Sequence, residues 1–247
     1  MNIIKHEKRE EIRLNKYISD SGYSSRREAD RLIEKGLVTI DDKVALVGTK
    51  VLPGQVVKVE GNIISLVEAK TYIALNKPRG ITTTNDLEIK GNIREFVNYH
   101  KLIFSVGRLD KDSSGLILLT DDGDIVNKIL RKEYGHDKEY VVTVNKDITK
   151  AFINNLKNGV KIYNPVAKKY QVTNKCEVIK VNNKTFRIIL KQGLNRQIRR
   201  MVRTQGYTVD TLTRVRVMNI KLGSLKEGKW RYLTKEELKE LNQLINK

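Results

Sequence analysis

The sequence predicts an α+β fold in two units, a small unit of two helices with a short sheet and a larger unit with a mixed, mainly antiparallel sheet. Two observations predict this fold. Capped helical patterns precede short β-prone runs near the start, and later strand-like runs alternate irregularly with helices, without βαβ regularity. We expect the small unit over 12–61, a linker over 62–71 and the larger unit over 72–247.

In the first unit, two helices precede the strands. The segment "LNKYISDSG" repeats apolar residues at helical spacing and ends in a glycine. In "SSRREADRLIEKG", Ser25 and Glu28 match a capping box, and Gly36 can end the helix. The runs "LVTI", "KVALVG" and "QVVKVEG" then predict short strands. A unit of this size suits a binding module better than an enzyme.

The second unit opens with "YIALNKPRGITTT", in which Pro78 and Gly80 fit a turn between two β-prone runs. Further runs predict strands, namely "GLILLT", "KEYVVTV", "CEVIKV" and "TFRIIL". Helical patterns occupy about 123–132, 149–158, 195–205 and 234–246. We expect Asn195 to cap the third of these helices, and Thr234 with Glu237 to form a capping box on the fourth.

The charge of the chain indicates its class of partner. Lys and Arg total 48 against 29 Asp and Glu, a formal net charge of +19. The first 61 residues carry 12 basic and 10 acidic residues, whereas the rest carry 36 and 19. Such an excess suits a phosphate polymer, so a nucleic acid is the expected partner. An anionic membrane is the rival, but the amphipathic Trp- or Phe-rich segment that it requires is lacking.

Composition also excludes several classes of protein. The sequence has no apolar run of 18 residues and no signal-like start, so we expect a cytoplasmic protein without a transmembrane helix. A single cysteine, Cys176, excludes an internal disulfide. Three scattered histidines leave little material for a zinc site or a Ser/His/Asp relay. We therefore expect no bound metal.

The stretch "SVGRLDKDSSGLILLTDDGD" admits two interpretations. Asp110, Asp112, Ser114 and Asp121 stand at positions 1, 3, 5 and 12 of a calcium loop, but such a loop ends in Glu and lies between helices. Here the apolar run "LILL" indicates a buried strand instead. In the second interpretation, the strand "VGRLD" ends at Asp110, and Asp112, Ser113 and Ser114 form a supporting turn. Asp121 is then a solvated strand end, and Asp110 itself could merely bond its own backbone.

Basic and aromatic residues elsewhere offer binding groups. The helix in "KQGLNRQIRRMVR" carries Arg196, Arg199 and Arg200 without a local carboxylate, so these side chains need a distant acid or phosphates. Tyr140 shares a strand face with valines, which is typical of core as well as of a binding site. Lys77 and Arg79 stand on the turn of "LNKPRG", where we expect them to be solvated or to contact phosphate.

The stretch "RLNKYISDSGYSSRREADRLIEKGLVTIDDKVA" resembles the S4 RNA-binding domain. The resemblance implies that the second helix and the nearby loop face RNA. The implied contacts are Lys16, Arg26, Arg27, Arg31 and Lys35. Alternatively, Arg26, Arg31 and Lys35 form only a solvated helix face, neutralised by Asp30 and Glu34 through i,i+4 pairs.

After this unit, "LNKPRG", "GRLDKDSSGLILLTDDGD", "KEYVVTV" and "GLNRQIRRM" follow in order. Together they resemble the S4-containing pseudouridine synthases of ribosomal RNA, a group with branch A for the small ribosomal RNA and branches B, E and F for the large one. The resemblance is greatest to branch F. Asp121 departs from the Asn common in that group. The resemblance implies isomerisation of uridine in ribosomal RNA, with 23S rRNA as the expected substrate and tRNA as a second candidate.

The resemblance also implies a role for each matching residue. Asp110 is the essential carboxylate, Arg199 pairs with it, and Tyr140 stacks on the uracil. Ile198 lines the pocket, and Arg108, expected on the strand face of Asp110, fills the space that the extruded base leaves. Since the product is an isomer, no cofactor is expected, and nothing requires more than a monomer. The rival interpretations are a non-catalytic S4-type RNA-binding or ribosome-assembly protein and a nuclease.

Overall fold

The computed structural model describes residues 11–66, 70–130 and 135–246 of the 247-residue chain. Within these ranges the chain forms a small N-terminal unit and a larger unit built on a mixed, mainly antiparallel sheet, which confirms the predicted α+β class. None of the helices in the described ranges is long and apolar enough to cross a membrane.

The first unit packs two helices on a small antiparallel sheet. The helices are α1 (Leu14–Asp20) and α2 (Arg26–Glu34). The strands are β1 (Ile12–Arg13), β2 (Val38–Ile40), β3 (Lys43–Val44), β4 (Lys50–Val51), β5 (Val57–Val59) and β6 (Asn62–Ile64). The sheet order is β3-β2-β5-β6, and β1 pairs with β4.

Local signals in the sequence explain most of this unit. The Ser25 side chain accepts a hydrogen bond from the Glu28 amide, as expected of an N-cap. Leu14 and Ile18 of α1 pack on Ala29 of α2 in one buried cluster. Strand β6 pairs with β5, so 62–64, which were expected in a linker, belong to this sheet. Of that linker range, 67–69 lie outside the described residues.

The larger unit contains the remaining elements. Its strands are β7 (Tyr72–Lys77), β8 (Phe104–Val106), β9 (Ser114–Thr120), β10 (Lys138–Val144), β11 (Lys161–Asn164), β12 (Lys169–Val172), β13 (Glu177–Lys180), β14 (Thr185–Leu190), β15 (Val209–Val217), β16 (Ile220–Lys221) and β17 (Trp230–Tyr232). Its helices are α3 (Ile93–Val97), α4 (Gly123–Leu130), α5 (Lys150–Asn158), α6 (Gln197–Arg203) and α7 (Lys235–Ile245). The end of the predicted helix over 123–132 falls on residues outside the described ranges.

One large sheet organises these elements, in the order β13-β14-β10-β15-β9-β7-β17, with β8 beside β9 and β16 beside β15. The pairing is antiparallel except between β9 and β15, which run parallel in the middle of the sheet. Helices α5 and α6 cover one end of the sheet, where Phe152 packs edge-on against Phe186. Helices α4 and α7 cover another part through Ile125 and Leu241. The central parallel pair is therefore held from several sides.

Two local expectations were wrong. Helix α6 is preceded by Arg196, whose backbone is left-handed (φ 48°), whereas the predicted cap, Asn195, accepts hydrogen bonds from Arg200 through its carbonyl and side-chain oxygens. Asp121 is not a solvated strand end, because it is buried and its carboxylate accepts a hydrogen bond from the Thr71 amide at 2.7 Å. The predicted capping box at Thr234 and Glu237 is present.

Candidate active site

Asp110 lies in a turn that follows β8, which ends at Val106, so Asp110 and Arg108 stand beyond the strand that was expected to carry them. The Asp110 carbonyl accepts a hydrogen bond from the Ser113 amide, 3.0 Å away. Thr83 bonds both backbone groups of Leu109, with its hydroxyl 2.8 Å from the carbonyl oxygen and 3.3 Å from the amide. These bonds fix the backbone around Asp110, and the turn (107–112) is called the aspartate turn below.

The segment after β7 supports the aspartate turn from outside. The Gly80 amide donates to the Lys111 carbonyl at 2.7 Å. Lys77 is fully buried, and its ammonium donates to the Pro78 and Ile81 carbonyls at 2.8 and 2.9 Å. Burial lowers the pKa of Lys77 to about 8. The expectation that Lys77 is solvated or contacts phosphate is therefore wrong, whereas Arg79 is exposed on this turn.

Gly115 lets the two central strands approach closely. Its φ is +103°, and a Cβ at this position would lie 2.3 Å from the Arg214 carbonyl oxygen. Arg214 is itself buried, and its guanidinium donates to the Leu116 carbonyl at 2.7 Å and to the Arg108 carbonyl at 3.5 Å. The Arg108 carbonyl belongs to the aspartate turn and the Leu116 carbonyl to β9, so Arg214 clamps the turn to the central strand.

Arg214 was not predicted as a site residue, although the sequence contains a signal for it. In "LTRVRV", Arg214 falls on the same strand face as Leu212 at a spacing of two. An arginine on an apolar face requires buried partners, which here are backbone carbonyls.

An ion-pair network joins α6 to the aspartate turn. Arg196 donates to both carboxylate oxygens of Asp112, at 3.0 and 2.8 Å, and one of its nitrogens lies 3.7 Å from the Asp110 carboxylate. The hydrogen bond from Arg196 lowers the pKa of Asp112 below its ordinary value. Asp112 is thus occupied by arginine, which leaves no calcium-type arrangement of carboxylates in this stretch.

Arg199 contacts Asp112 and Ser113 rather than its predicted partner, Asp110. Its terminal nitrogen donates to the Asp112 carbonyl at 2.9 Å and to the Ser113 hydroxyl at 3.3 Å, and its Nε lies 3.5 Å from the Asp112 carboxylate. Within the described part of the chain, the ion pair to Asp110 at 4 Å or less comes from Arg196 and not from Arg199. Burial lowers the pKa of Arg199, while the charges of Asp112 and Asp110 oppose that shift. Arg199 therefore anchors the turn and acts on Asp110 through space.

Tyr140 stands where β10 has an irregular register against β15, between Glu139 and Tyr140. Such irregularities redirect side chains and are common beside active sites. Tyr140 is half-buried and packs against two apolar clusters, one of which contains Leu109 of the aspartate turn. Tyr140 therefore takes part in the hydrophobic core and also lies beside the aspartate turn. The sequence allowed both a core position and a position at a binding site.

A cavity of about 550 Å³ joins these groups. It is lined by Asp110, Arg108, Tyr140, Arg196, Ile198 and Arg199 among the predicted residues, and by Lys138 and Arg214 among those not predicted. Burial and the nearby Arg214 charge lower the pKa of Lys138. The cavity therefore surrounds one partly exposed carboxylate with several cations and an aromatic ring, which suits a nucleotide.

The comparisons with known proteins agree with this arrangement. A family model described as RNA pseudouridylate synthase matches residues 71–204, and an S4 domain model matches residues 12–57. The chain belongs to the RNA pseudouridine synthase family. This synthase is 52% identical over 236 residues to the dual-specificity RNA pseudouridine synthase RluF of Escherichia coli K12, covering 95% of the chain and 79% of the relative. The resemblance to branch F is confirmed.

Other relatives extend the comparison. The RluF enzyme of Salmonella typhi is 53% identical, with 94% of this chain and 79% of the relative covered. A solved structure described as a pseudouridylate synthase superposes with a TM-score of 0.67 at 27% identity, covering 93% of this chain and 99% of the other. The fold of the synthase is therefore that of the family.

The residues of the S4 domain that were predicted to contact RNA differ from one another in burial and in ion pairing. Lys16 is buried and forms ion pairs with Asp20 and Asp124. The expectation that Lys16 contacts RNA is therefore wrong. Asp124 belongs to α4 of the larger unit, and Arg26 lies 3.9 Å from the same carboxylate. Lys16 therefore links the two units of the synthase.

The remaining basic residues of α2 lie at its surface. Arg31 pairs with Glu28 at 3.1 Å rather than with Glu34, and the Asp30 carboxylate accepts from the Asn15 amide. Arg27 and Lys35 are exposed and form no ion pair with any residue in the described ranges. These two cations remain available for RNA.

Proposed function

We propose that this synthase converts specific uridines of ribosomal RNA to pseudouridine, with 23S rRNA as the main substrate and tRNA as a second one. In this proposal it acts in the cytoplasm as a monomer. The observation that carries the proposal is the position of Asp110, whose carboxylate lies in a cation-lined cavity together with Tyr140.

The reaction exchanges one glycosidic bond for another. The C1′–N1 bond breaks, the uracil turns, and a C1′–C5 bond forms, while C5 loses a proton and N1 gains one. A carboxylate suits this exchange in either of two roles, as a nucleophile or as the base that accepts a proton. Both roles require an ionised Asp110, and a guanidinium nitrogen of Arg196 lies 3.7 Å from its carboxylate.

The cavity walls support roles for the other residues. The Tyr140 ring offers a face for the uracil, and the buried Ile198 gives an apolar wall. Arg108 is exposed at the cavity and is the group that fills the space of the extruded base. Extrusion costs least for a base that is already unpaired, so loops and bulges are the expected targets. Lys138 and Arg199 also line the cavity, and their positive charges would favour the anionic backbone of the RNA.

The identity of the RNA is supported by the charge and by the relatives. The net charge of +19 and the S4 domain favour an RNA substrate. The relatives in Escherichia coli and Salmonella typhi are named dual-specificity enzymes, which supports a second class of substrate. Arg27, Lys35, Arg79 and Arg200 would then contact RNA outside the cavity, on the surfaces of α2, the β7 turn and α6.

The test is to map pseudouridine in unmodified 23S rRNA and tRNA transcripts after incubation with the purified full chain. We expect pseudouridine at one or a few fixed positions in 23S rRNA. Modification of tRNA alone would overturn the choice of main substrate. Tight RNA binding with no pseudouridine in either RNA would favour the rival interpretation, a non-catalytic ribosome-assembly protein.

A further inference from the structure

An exposed group of aromatic rings lies on the larger unit, outside the cavity. It comprises Tyr99, His100, Trp230 and Tyr232, and is called the aromatic patch below. Trp230 and Tyr232 belong to β17, the edge strand of the large sheet, and Tyr99 and His100 follow α3. Trp230 and Tyr232 are 37% and 55% exposed. The proposed reaction does not use these rings.

The rings form one continuous surface. The Tyr99 and Trp230 centroids are 5.8 Å apart and nearly perpendicular, as are those of Trp230 and Tyr232 at 5.4 Å. The Tyr99 and Tyr232 hydroxyls lie 3.0 Å apart, and His100 tilts over Tyr99 at 4.3 Å. Edge-to-face packing holds Tyr99, Trp230 and Tyr232 in place while Trp230 and Tyr232 remain partly open to solvent.

The register of the sheet relates the patch to the active site. Trp230 pairs with Leu75 and Tyr232 pairs with Ile73, and directly opposite residues of antiparallel strands share a face of the sheet. Leu75 and Ile73 belong to the same buried cluster as Leu109 of the aspartate turn. The aromatic patch therefore lies on the face of the sheet that carries the aspartate turn, two strands away from β9.

Charge around the patch favours an anionic partner. Lys101 follows His100 in the chain, is exposed, and acts electrostatically on Tyr232. Arg94 on α3 and Lys229 next to Trp230 are also exposed. The exposed acids of these segments are Glu95 and Glu227, so the local balance is basic, as is the chain as a whole.

We propose that the aromatic patch binds unpaired bases of the substrate RNA by stacking. These bases would lie next to the RNA segment that carries the target uridine into the active site. The inference rests on the proposed action on RNA. Aromatic rings beside cations are the usual means by which proteins hold single-stranded nucleic acid, with rings for the bases and cations for the phosphates. The patch would hold the RNA flanking the target in an open form, which makes the target uridine easier to extrude.

The chain offers a direct reporter, because Trp230 is its only tryptophan. We would titrate the full-length Asp110→Asn variant, which lacks the proposed catalytic group, with a short oligouridylate while recording tryptophan fluorescence. The matched probe is an oligomer of the same length with abasic sugars, which has the phosphates but not the bases. We expect the oligouridylate to quench Trp230 and the abasic oligomer to leave it unchanged. Equal quenching by both would overturn stacking.

Two variants test the surface itself. Tyr232→Ala should weaken binding of the oligouridylate at least about fivefold, the lower bound for one stacked base, whereas Tyr232→Phe should retain it. Tyr170→Ala is the control, since Tyr170 is 66% exposed on β12 and outside the patch. Equal affinity of Tyr232→Ala and the parent would overturn the inference. A rise in mass with concentration that Tyr232→Ala abolishes, with RNA affinity unchanged, would also overturn it and assign the patch to a second copy of the chain.

These outcomes separate the two proposals. If the protein binds RNA and makes pseudouridine but Tyr232 has no effect, only the stacking surface is wrong. If wild-type protein makes no pseudouridine in RNA, the proposed function fails whatever the fluorescence shows.

Discussion

Arg196 and Asp112 form a two-point ion pair at the active-site cavity, with guanidinium nitrogens 3.0 and 2.8 Å from the two carboxylate oxygens. The same guanidinium lies 3.7 Å from Asp110. Asp112 thus fixes the arginine that faces the proposed catalytic carboxylate. We therefore expect the second aspartate of the turn to have a positioning role, which is more specific than the supporting turn that the sequence predicted.

Changing Asp112 to Asn should lower kcat about 10- to 100-fold, because Arg196 and Arg199 lose their charged anchor and the geometry around Asp110 loosens. The free energy of unfolding should fall by no more than about 1 kcal/mol, since this pair is more than a third exposed. Single-turnover kinetics and urea unfolding measure the two effects. The exposed Asp210→Asn is the control, and unchanged kcat in Asp112→Asn would refute the positioning role.

Changing Arg214 to Met should separate catalysis from stability. The variant keeps the apolar bulk but loses the hydrogen bonds to the Leu116 and Arg108 carbonyls, which tie the aspartate turn to β9. Losing these bonds costs stability, but removing a buried charge offsets the cost, so unfolding should change by only about 1 kcal/mol. We expect kcat to fall about 100-fold while KM changes little. Normal kcat with normal stability would show that the clamp is unnecessary.

Changing Gly115 to Ala should destabilise the protein by more than about 3 kcal/mol, because a Cβ would lie 2.3 Å from the Arg214 carbonyl oxygen between the central parallel strands. Gly61→Ala is the matched control. Gly61 also has a positive φ, but no atom lies within 4 Å of the position that a Cβ would take, so it should show only backbone strain of about 1 kcal/mol. Thermal unfolding compares the two. Equal losses would mean that strand contact does not explain the need for Gly115.

Lys77 should give the stability a specific dependence on pH. Its pKa is about 8 in the fold against an ordinary 10.5, so between these values the unfolded chain holds a proton that the folded chain has released. The free energy of unfolding of the wild type should therefore rise with pH from 8 to 10.5, relative to Lys77→Met, by up to about 3 kcal/mol. Urea unfolding across this range measures the difference.

The exposed Lys239→Met provides the control for that experiment. Its stability should track that of the wild type at every pH. A difference between wild type and Lys77→Met that stays constant from pH 8 to 10.5 would contradict the shifted pKa.

Local patterns and motifs predicted much of the fold. The caps at Ser25 and Thr234 and the apolar run of β9 are encoded within a few residues, so they can be predicted without tertiary structure. Strand β15 was not predicted, because its arginines obscure an alternation that only the buried carbonyl partners of Arg214 explain. Helix α3 was not predicted either, and it has only five residues.

The site residues also divide into those that local motifs predict and those that depend on tertiary contacts. Asp110, Tyr140 and Arg199 could be chosen because their motifs resemble those of a known family, and they line one cavity. The partners of each group could not be predicted, since they depend on contacts between segments about 80 residues apart, such as Arg196 with Asp112. Lys16 and Lys77 show the same limit, because burial by distant elements decides whether a lysine reaches solvent.

We propose above that Asp110 is the carboxylate that acts on the uridine. The most direct measurement is pseudouridine formation by Asp110→Asn in a 23S rRNA transcript that the wild type modifies, with RNA affinity measured in parallel. We expect a folded protein that binds this RNA as the wild type does and forms no pseudouridine. Substantial turnover by Asp110→Asn would contradict the account.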